Sequence, residues 1–364
     1  MAALARVSAS CAQEVAAVSR NAMAIVSSLL FAILAALLVL IPVPYVARRP
    51  GQTIDVLASS DKGPVIDVSE VPTFDTSGRL LMTTVSTTRV DSTLSLPEAI
   101  FVYLGSDSEA MPRDVIYPPG KTNEQVETES ARSMVDSRTR ATVAALRAAT
   151  IQVEDKPMVT AVSISGPSAD VLQPGDLILQ VNGQPVSDRE EVRQVIGQND
   201  VGQVVTLQIS RGGEESTVEI TLAASTTEAD RPVMGVDIGP GYRYTPQVTF
   251  GVDPSVTGPS AGLVFALGIY DRITEGDLIQ DEVVAGTGTI DAEGSVGNIG
   301  GAREKIKGAE RDGASIFLLP EGNCPDVEGI KTSLTLVKVA TLRDAISALQ
   351  LINEGNTADV PTSG

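Results

Sequence analysis

Hydrophobic and polar positions fall into distinct textures along this chain, and the first is almost wholly apolar. From Ala22 to Val46 it reads "AMAIVSSLLFAILAALLVLIPVPYV", about 25 residues without a charge, broken clearly only by Ser27 and Ser28. That is enough to cross about 30 Å of hydrocarbon as a helix. A cleaved signal peptide has an apolar core of only about 7–15 residues and a small-residue cleavage site, which "IPVPYVARRPG" does not offer, so the run reads as an anchor. Arg6 and Arg20 precede it and Arg48 and Arg49 follow it, so flanking charge does not decide orientation; the short leading tail and long trailing part favour the N-terminus inside.

Beyond the run, residues 47–73 are rich in Pro, Gly, Ser and Asp and read as a linker with one or two short strands. "GRLLMTTVSTTRV", Gly78 to Val90, alternates apolar with Ser/Thr positions and predicts a strand with one covered face. Asn123 to Ala149 has helical character and many charges, which predicts a long surface helix. The texture changes again from Val159 to Ala223. A strand leads to the Pro174-Gly175-Asp176 turn, an apolar strand, and Asn182-Gly183, a strong hairpin signal. A short helix opened by Ser187 and two strands joined by Arg211-Gly212-Gly213 complete that segment. After Met234 an α/β texture resumes, with an apolar helical stretch over Ala261–Tyr270 and a helix after Gly300-Gly301 that stops at Gly313.

Composition narrows the chemistry. The 364 residues contain no histidine, so a Ser-His-Asp triad and an HExxH metal site are excluded within the chain, and neither metal nor cofactor is called for. The formal charge of −19, with no long Lys/Arg cluster, argues against nucleic acid as a partner. Cys11 and Cys324 are too far apart in sequence to read as a disulfide framework, and Asp75-Thr76-Ser77-Gly78 misses the aspartic-protease Asp-Thr-Gly by one inserted residue, so it reads as a turn.

Two places carry candidate chemistry. Ser260 follows Gly258-Pro259 and precedes Ala261-Gly262 at the start of the apolar helix, where Pro259 suits a first helical position and unpaired N–H groups can hold an oxyanion. A serine there is, by itself, most simply a capping residue. On the later helix Arg303, Lys307 and Arg311 make a solvated stripe, whereas Ala302, Ile306 and Ala309 face inward. Lys305 lies beside the inward stripe. A lysine held against apolar surroundings loses solvation of its charged form and can act as a general base toward a hydroxyl; an isolated one simply snorkels along the core edge.

The pair "GPSAG" and "IGGAREK" resembles the Ser/Lys peptidase domain of Lon proteases, over about 120 residues that include "AGTGTIDAEGSVGNIGG", "GASIFLLPEGNCPDV" and a terminal helix near Leu342–Ile352. The resemblance implies that Ser260 is the nucleophile, Lys305 the dyad lysine, and Thr287 a residue that orients the lysine; Gly258, Pro259 and Ala261, at the expected helix start, are the candidates for the oxyanion site. Thr257 and Thr289 depart from the family, which often has aspartate and glutamate there. "LQPGDLILQVNGQPV" is similar to a bacterial-type PDZ domain, which implies a peptide-binding groove near Met158, Val159, Thr160 and Val162 beside the helix Arg189–Ile196. No GxxxxGK[ST] loop occurs in the chain.

Anchor, PDZ module and peptidase together resemble bacterial membrane PDZ-containing Lon-like proteases. The expected class is an α/β (α+β) Lon-type peptidase domain with an inserted β-rich PDZ domain behind one transmembrane helix. The expected boundaries are 1–21 cytoplasmic tail, 22–46 anchor, 47–73 linker, 74–150 first part of the peptidase, 151–225 PDZ, 226–353 proteolytic domain and 354–364 disordered tail. The expected activity is ATP-independent serine endopeptidase on unfolded or flexible proteins, the PDZ taking extended segments or C-termini; the alternative is a non-catalytic PDZ-based membrane scaffold or peptide-binding protein with a degenerate peptidase fold. The expected site is the cell membrane, catalytic domain extracytoplasmic, and the resemblance adds a homo-oligomer, a hexamer in that family.

Overall fold

The computed structural model describes residues 22–60, 63–89, 91–105, 107–117 and 119–363. The expected tail 1–21 lies outside them. The apolar run forms helix α1, Ala22–Leu40, whose most apolar window has mean hydropathy 2.8 and is not buried against the rest of the chain. At 1.5 Å per residue its 19 residues reach roughly 28 Å, the hydrocarbon thickness.

The helix ends at Leu40, short of the expected Val46. Pro42 and Pro44 lack the N–H groups a continuing helix would need, and strand β1, Tyr45–Asp55, begins at once with Val46 and Ala47 buried. The expected linker 47–73 is therefore corrected. Much of it is β1, an interior strand of the main sheet, and β2, Ile66–Ser69, follows with Ile66 and Val68 turned into the core.

Next come β3 (Arg79–Thr87), α2 (Leu96–Leu104), β4 (Glu109–Pro112) and α3 (Asn123–Ala148). Helix α3 begins with a reciprocal Thr122/Gln125 cap, but only its first half is a surface helix as expected. In "RATVAALRA" the small and apolar residues go all round, and Ala141 to Leu146 are buried without a break.

A second unit is built from β5 (Glu154–Val162), β6 (Leu177–Val181), α4 (Arg189–Gly197), β7 (Val204–Arg211), β8 (Glu214–Thr221) and β9 (Val236–Arg243). Asp188, not Ser187, caps α4, while Ser187 bonds Glu191. The strands run β8-β7-β6-β5-β9 across the sheet, over a core of Ile178, Val192, Leu207, Ile209 and Ile220. Because β9 pairs with β5 from Arg243↔Glu154 to Val236↔Val162, this unit extends past the expected boundary at 225.

The chain then adds β10 (Gln247–Phe250), α5 (Gly262–Ile273), β11 (Val283–Gly286), α6 (Ala302–Arg311), β12 (Ile316–Pro320), β13 (Thr335–Val339) and α7 (Leu342–Asn353). The main sheet has the order β13-β12-β11-β3-β1-β4, parallel from β13 to β3 and antiparallel beyond. Parallel strands of this kind are covered on both faces, so they read as nearly unbroken apolar runs. In β3, Leu80 and Met82 face α3, α5 and α7, whereas Leu81 joins Ala302, Ile306 and Phe317 on the α6 side. The result is a three-layer α/β unit with two helical layers meeting at the carboxyl end of β11.

The expected disordered tail is also corrected. Val360 is buried, Lys338 N–H donates to the Pro361 carbonyl and Ser363 N–H to that of Leu336, so the tail covers the edge of β13.

Candidate active site

Ser260 lies in a tight turn ahead of α5. Gly258 takes φ +92, a left-handed conformation that glycine adopts without strain, and donates its N–H to the Ser130 carbonyl on α3. The Pro259 carbonyl accepts from Ser137 Oγ at 3.0 Å, so α3 pins the turn from outside. Helix α5 starts only at Gly262, with Ala261 as its cap. Pro259 is thus outside the helix, against expectation, and Ser260 stands two residues before it. The N–H groups of Ser260 and Ala261 have no hydrogen-bond partner among the described residues. Gly262 is required for close approach: a Cβ there would sit 2.8 Å from Ile290 Cγ2 and 3.1 Å from the Ile290 nitrogen.

The loop after β11 fastens this turn from the other side. Thr287 Oγ1 donates to the Ser260 carbonyl at 3.0 Å, Gly288 N–H donates to the same oxygen at 2.9 Å, and Leu263 N–H returns a bond to the Gly288 carbonyl. Thr287 is itself fully buried.

Lys305 comes from α6 in the opposite layer. The helix opens at Gly301, φ +75, where a Cβ would meet Val85 Cγ1 at 2.8 Å and Arg48 Cδ at 2.9 Å. That close entry, one turn before Lys305, carries the lysine into the interior, where it is only 1% exposed. Its Nζ lies 2.7 Å from Ser260 Oγ and 2.7 Å from Thr287 Oγ1. The three predicted residues, spread over 46 positions of chain from Ser260 to Lys305, therefore meet in one cluster. Burial pushes the Lys305 ammonium down to about 7, and the nearby positive charge of Arg48 pushes in the same direction.

Arg48 belongs to this neighbourhood too, although by sequence it is only a flanking charge of the anchor. It lies on β1 against Gly300 and Gly301 and pairs with Glu109 on β4 at 3.4 Å. Glu304, beside Lys305 in sequence, is also buried, and that burial raises its carboxyl above the usual range, with Glu109 adding to the rise and Arg48 opposing it. No motif spacing links Arg48 to Lys305; only the pairing of β1 with β3 places it there. Of the two departures from the Lon pattern, Thr257 is exposed, and Thr289 pairs with Gly297 in a short hairpin.

The expected peptide-binding strand is corrected. Met158 is paired on one side with Leu177 and on the other with Gly239, and Val159 bonds both Gly175 and Asp176, so neither edge of β5 is open there. Thr160 and Val162 lie on the same interior strand, Val162 paired with Val236. Beyond β5 the sheet ends at β9, which packs beside α4. Pro240, unable to donate to a ladder, is compatible with that edge position.

Residues 142–222 match the family model of the PDZ domain, and residues 248–351 match that of the Lon protease (S16) C-terminal proteolytic domain. The Lon protease of Chloroflexus aurantiacus is 35% identical over 109 residues, which is 29% of this chain and 13% of that protein. Lon protease 1 of Herpetosiphon aurantiacus is 31% identical over 144 residues, 39% of this chain and 17% of that protein. The chain thus spans only a small part of the length of these relatives. Among solved structures, the PDZ domain of the SdrC-like protein from Listeria monocytogenes is 27% identical, covering 23% of this chain and 86% of that one, with a TM-score of 0.22.

Proposed function

From a chain that carries a PDZ domain and a Lon-type (S16) proteolytic domain, we propose a membrane-anchored serine endopeptidase that works through a Ser260/Lys305 dyad. The observation that carries this reading is the 2.7 Å contact between Lys305 Nζ and Ser260 Oγ, made by a lysine whose burial holds it near neutrality. Neutral Lys305 accepts the hydroxyl proton as Ser260 Oγ attacks the scissile carbonyl carbon. The carbonyl oxygen becomes an oxyanion, and the free N–H groups of Ser260 and Ala261 are positioned to bind it. Collapse of that intermediate breaks the C–N bond, and the Lys305 ammonium returns its proton to the leaving amine. Water then attacks the ester on Ser260, again giving a proton to Lys305, and as the C–O bond to Ser260 breaks and the acid leaves, the Lys305 ammonium returns that proton to Ser260 Oγ.

Thr287 serves geometry in this scheme. Its hydroxyl accepts from Lys305 while donating to the Ser260 carbonyl, so one side chain fixes both partners. Helix α1 is the anchor, with the N-terminus cytoplasmic and the catalytic unit on the other side. Substrates in this reading are unfolded or flexible segments, which can enter the site as extended chain.

The full chain, given an unfolded protein, is expected to release peptides at one rate with and without ATP. A peptide active ester is expected to leave its acyl group on Ser260 in the mass spectrum of the trapped enzyme. Acylation elsewhere, or cleavage that starts only when ATP is added, would defeat the proposal.

For the PDZ unit the reading is addition of an extended peptide to the outer edge of β9 beside α4, around Val236–Gly239. A C-terminal peptide bearing a photoreactive residue should therefore give adducts on residues 236–243 and on α4. Adducts confined to 158–162 would restore the interior strand as the site and reject the edge.

A further inference from the structure

Helix α2 presents an unusual surface for a soluble face. Its inner side, Ala99 and Val102, packs with Ala47, Leu94 and Val43 in a small core of its own. Its outer side carries Ile100, Phe101 and Leu104, with Phe101 77% and Leu104 76% exposed, and Tyr103 is exposed at its flank. Its one charged residue, Glu98, is engaged at the helix start, where it accepts from the Ser95 N–H and hydroxyl. A nine-residue helix with so large a bare apolar side needs a nonaqueous neighbour.

The chain also fixes where this helix sits. Ser95, its N-cap, pairs with Pro42, and Leu94 pairs with Val43. Pro42 is two residues past the end of α1, so the start of α2 lies within roughly 12 Å of that end, by about 3.3–3.6 Å per residue and about 5 Å across a strand pair. A second exposed apolar group is tied to the same place: Arg113 N–H donates to the Pro44 carbonyl, and Val115 and Tyr45 beside it are exposed. This tether holds whichever way α1 itself points.

We propose that α2, with Tyr45 and Val115, lies on the lipid bilayer that α1 crosses, its Phe101 and Leu104 entering the headgroup–acyl boundary. Aromatic and aliphatic side chains on a short helix at that depth match the interfacial belt of membrane proteins. The inference rests on the reading of α1 as a membrane span. Its consequence is a fixed distance: β1 runs from this contact to Arg48 at the catalytic cluster, which places Ser260 and Lys305 within roughly 30 Å of the lipid surface by the same rise per residue. The substrates closest to such a site are juxtamembrane segments.

The chain contains no tryptophan, so one introduced residue reports alone. Phe101→Trp, Leu34→Trp and Ile164→Trp variants of the full chain would be reconstituted in phosphatidylcholine/phosphatidylglycerol vesicles and quenched with brominated lipids or with iodide. Leu34→Trp, in α1, tests the span; Ile164→Trp, on a fully exposed position of the second unit, is the aqueous reference. The expected result is bromolipid quenching and blue-shifted emission for Phe101→Trp, with iodide quenching only for Ile164→Trp. If Leu34→Trp is quenched by bromolipid but Phe101→Trp is quenched by iodide, the span stands and the bilayer contact is overturned. Phe101→Trp shielded from both quenchers would mean cover by protein, such as a second copy, and would also overturn it. Failure of Leu34→Trp to meet bromolipid would remove both readings together.

Discussion

Lys305→Met is expected to lower kcat/KM on an unfolded protein by at least about 10³-fold and, at acidic pH, to make the protein more resistant to unfolding. The two effects have one cause. In the folded chain Lys305 is encased, and burial together with Arg48 lowers it from 10.5 to about 7. Below pH about 7 both folded and unfolded chains carry the ammonium, so the full cost of a buried charge weakens the fold. As pH rises from about 7 toward 10.5 only the unfolded chain stays protonated, so the unfolded state binds more protons and stability climbs. Methionine has nearly the same shape and no charge, so its stability advantage is greatest in acid and fades across that window.

Activity in the wild type follows the same group. In the proposed reaction the neutral amine is the base, so kcat/KM is expected to rise as pH passes through about 7. The Ser260→Ala/Lys305→Met pair is expected to be no slower than either single change, because nucleophile and base act as one unit. Unfolding midpoints and kcat/KM measured from about pH 6 to 10 decide the matter. A methionine variant that keeps its activity, or a stability difference that does not vary with pH, would remove Lys305 from its role.

Much of this site is legible in the amino-acid sequence, because its chemistry lies in two short local patterns. A serine behind Gly-Pro and a lysine off the basic stripe of an amphipathic helix are each visible within a few residues, and with no histidine in the sequence the lysine is the candidate base that draws attention. Arg48 is not legible in that way. Its position comes from β1 crossing the sheet, and the Pro-, Gly- and Asp-rich sequence around it looks like a linker because β1 is irregular there, with a register break between Pro50 and Thr53. A Cβ on Gly51 would run into Thr84, so the residue that makes the segment look loose is the one that lets two strands touch.

The peptide edge is hidden for a related reason. Strand order is a nonlocal property: "MVTAV" has the alternation of a half-covered strand, and nothing within it tells that Val236 to Gly239, far along the chain, will pair against it. Residues Val236–Arg243 contain two glycines and a proline, which mask them in a β-propensity reading. The tail is masked likewise, since "NTADVPTS" is polar and short and is held by the buried Val360 and by the bonds of Pro361 and Ser363 to β13.

Phe265→Ala is expected to cost about 3–5 kcal/mol, the range for removing a large aromatic side chain from a core. Phe265 and Lys305 are among the largest fully buried side chains of the described residues, yet their replacements should act in opposite directions. Phe265 stands on α5 one turn past Ser260, its N–H bonded to the Ala261 carbonyl, and meets Phe250 edge to face with ring centres 4.9 Å apart. Its ring fills space in the core shared with Leu80 and Ile66, so alanine leaves a cavity that the tightly packed surroundings can close only in part. Its core is separate from that of the second unit, so calorimetry of the full chain should show the proteolytic transition fall by on the order of 10 °C while the PDZ transition holds. Leu207→Ala, in the PDZ core, should do the reverse. A loss below about 1 kcal/mol would mean that α5 is not seated as described, and equal shifts of both transitions would mean that the two cores unfold as one.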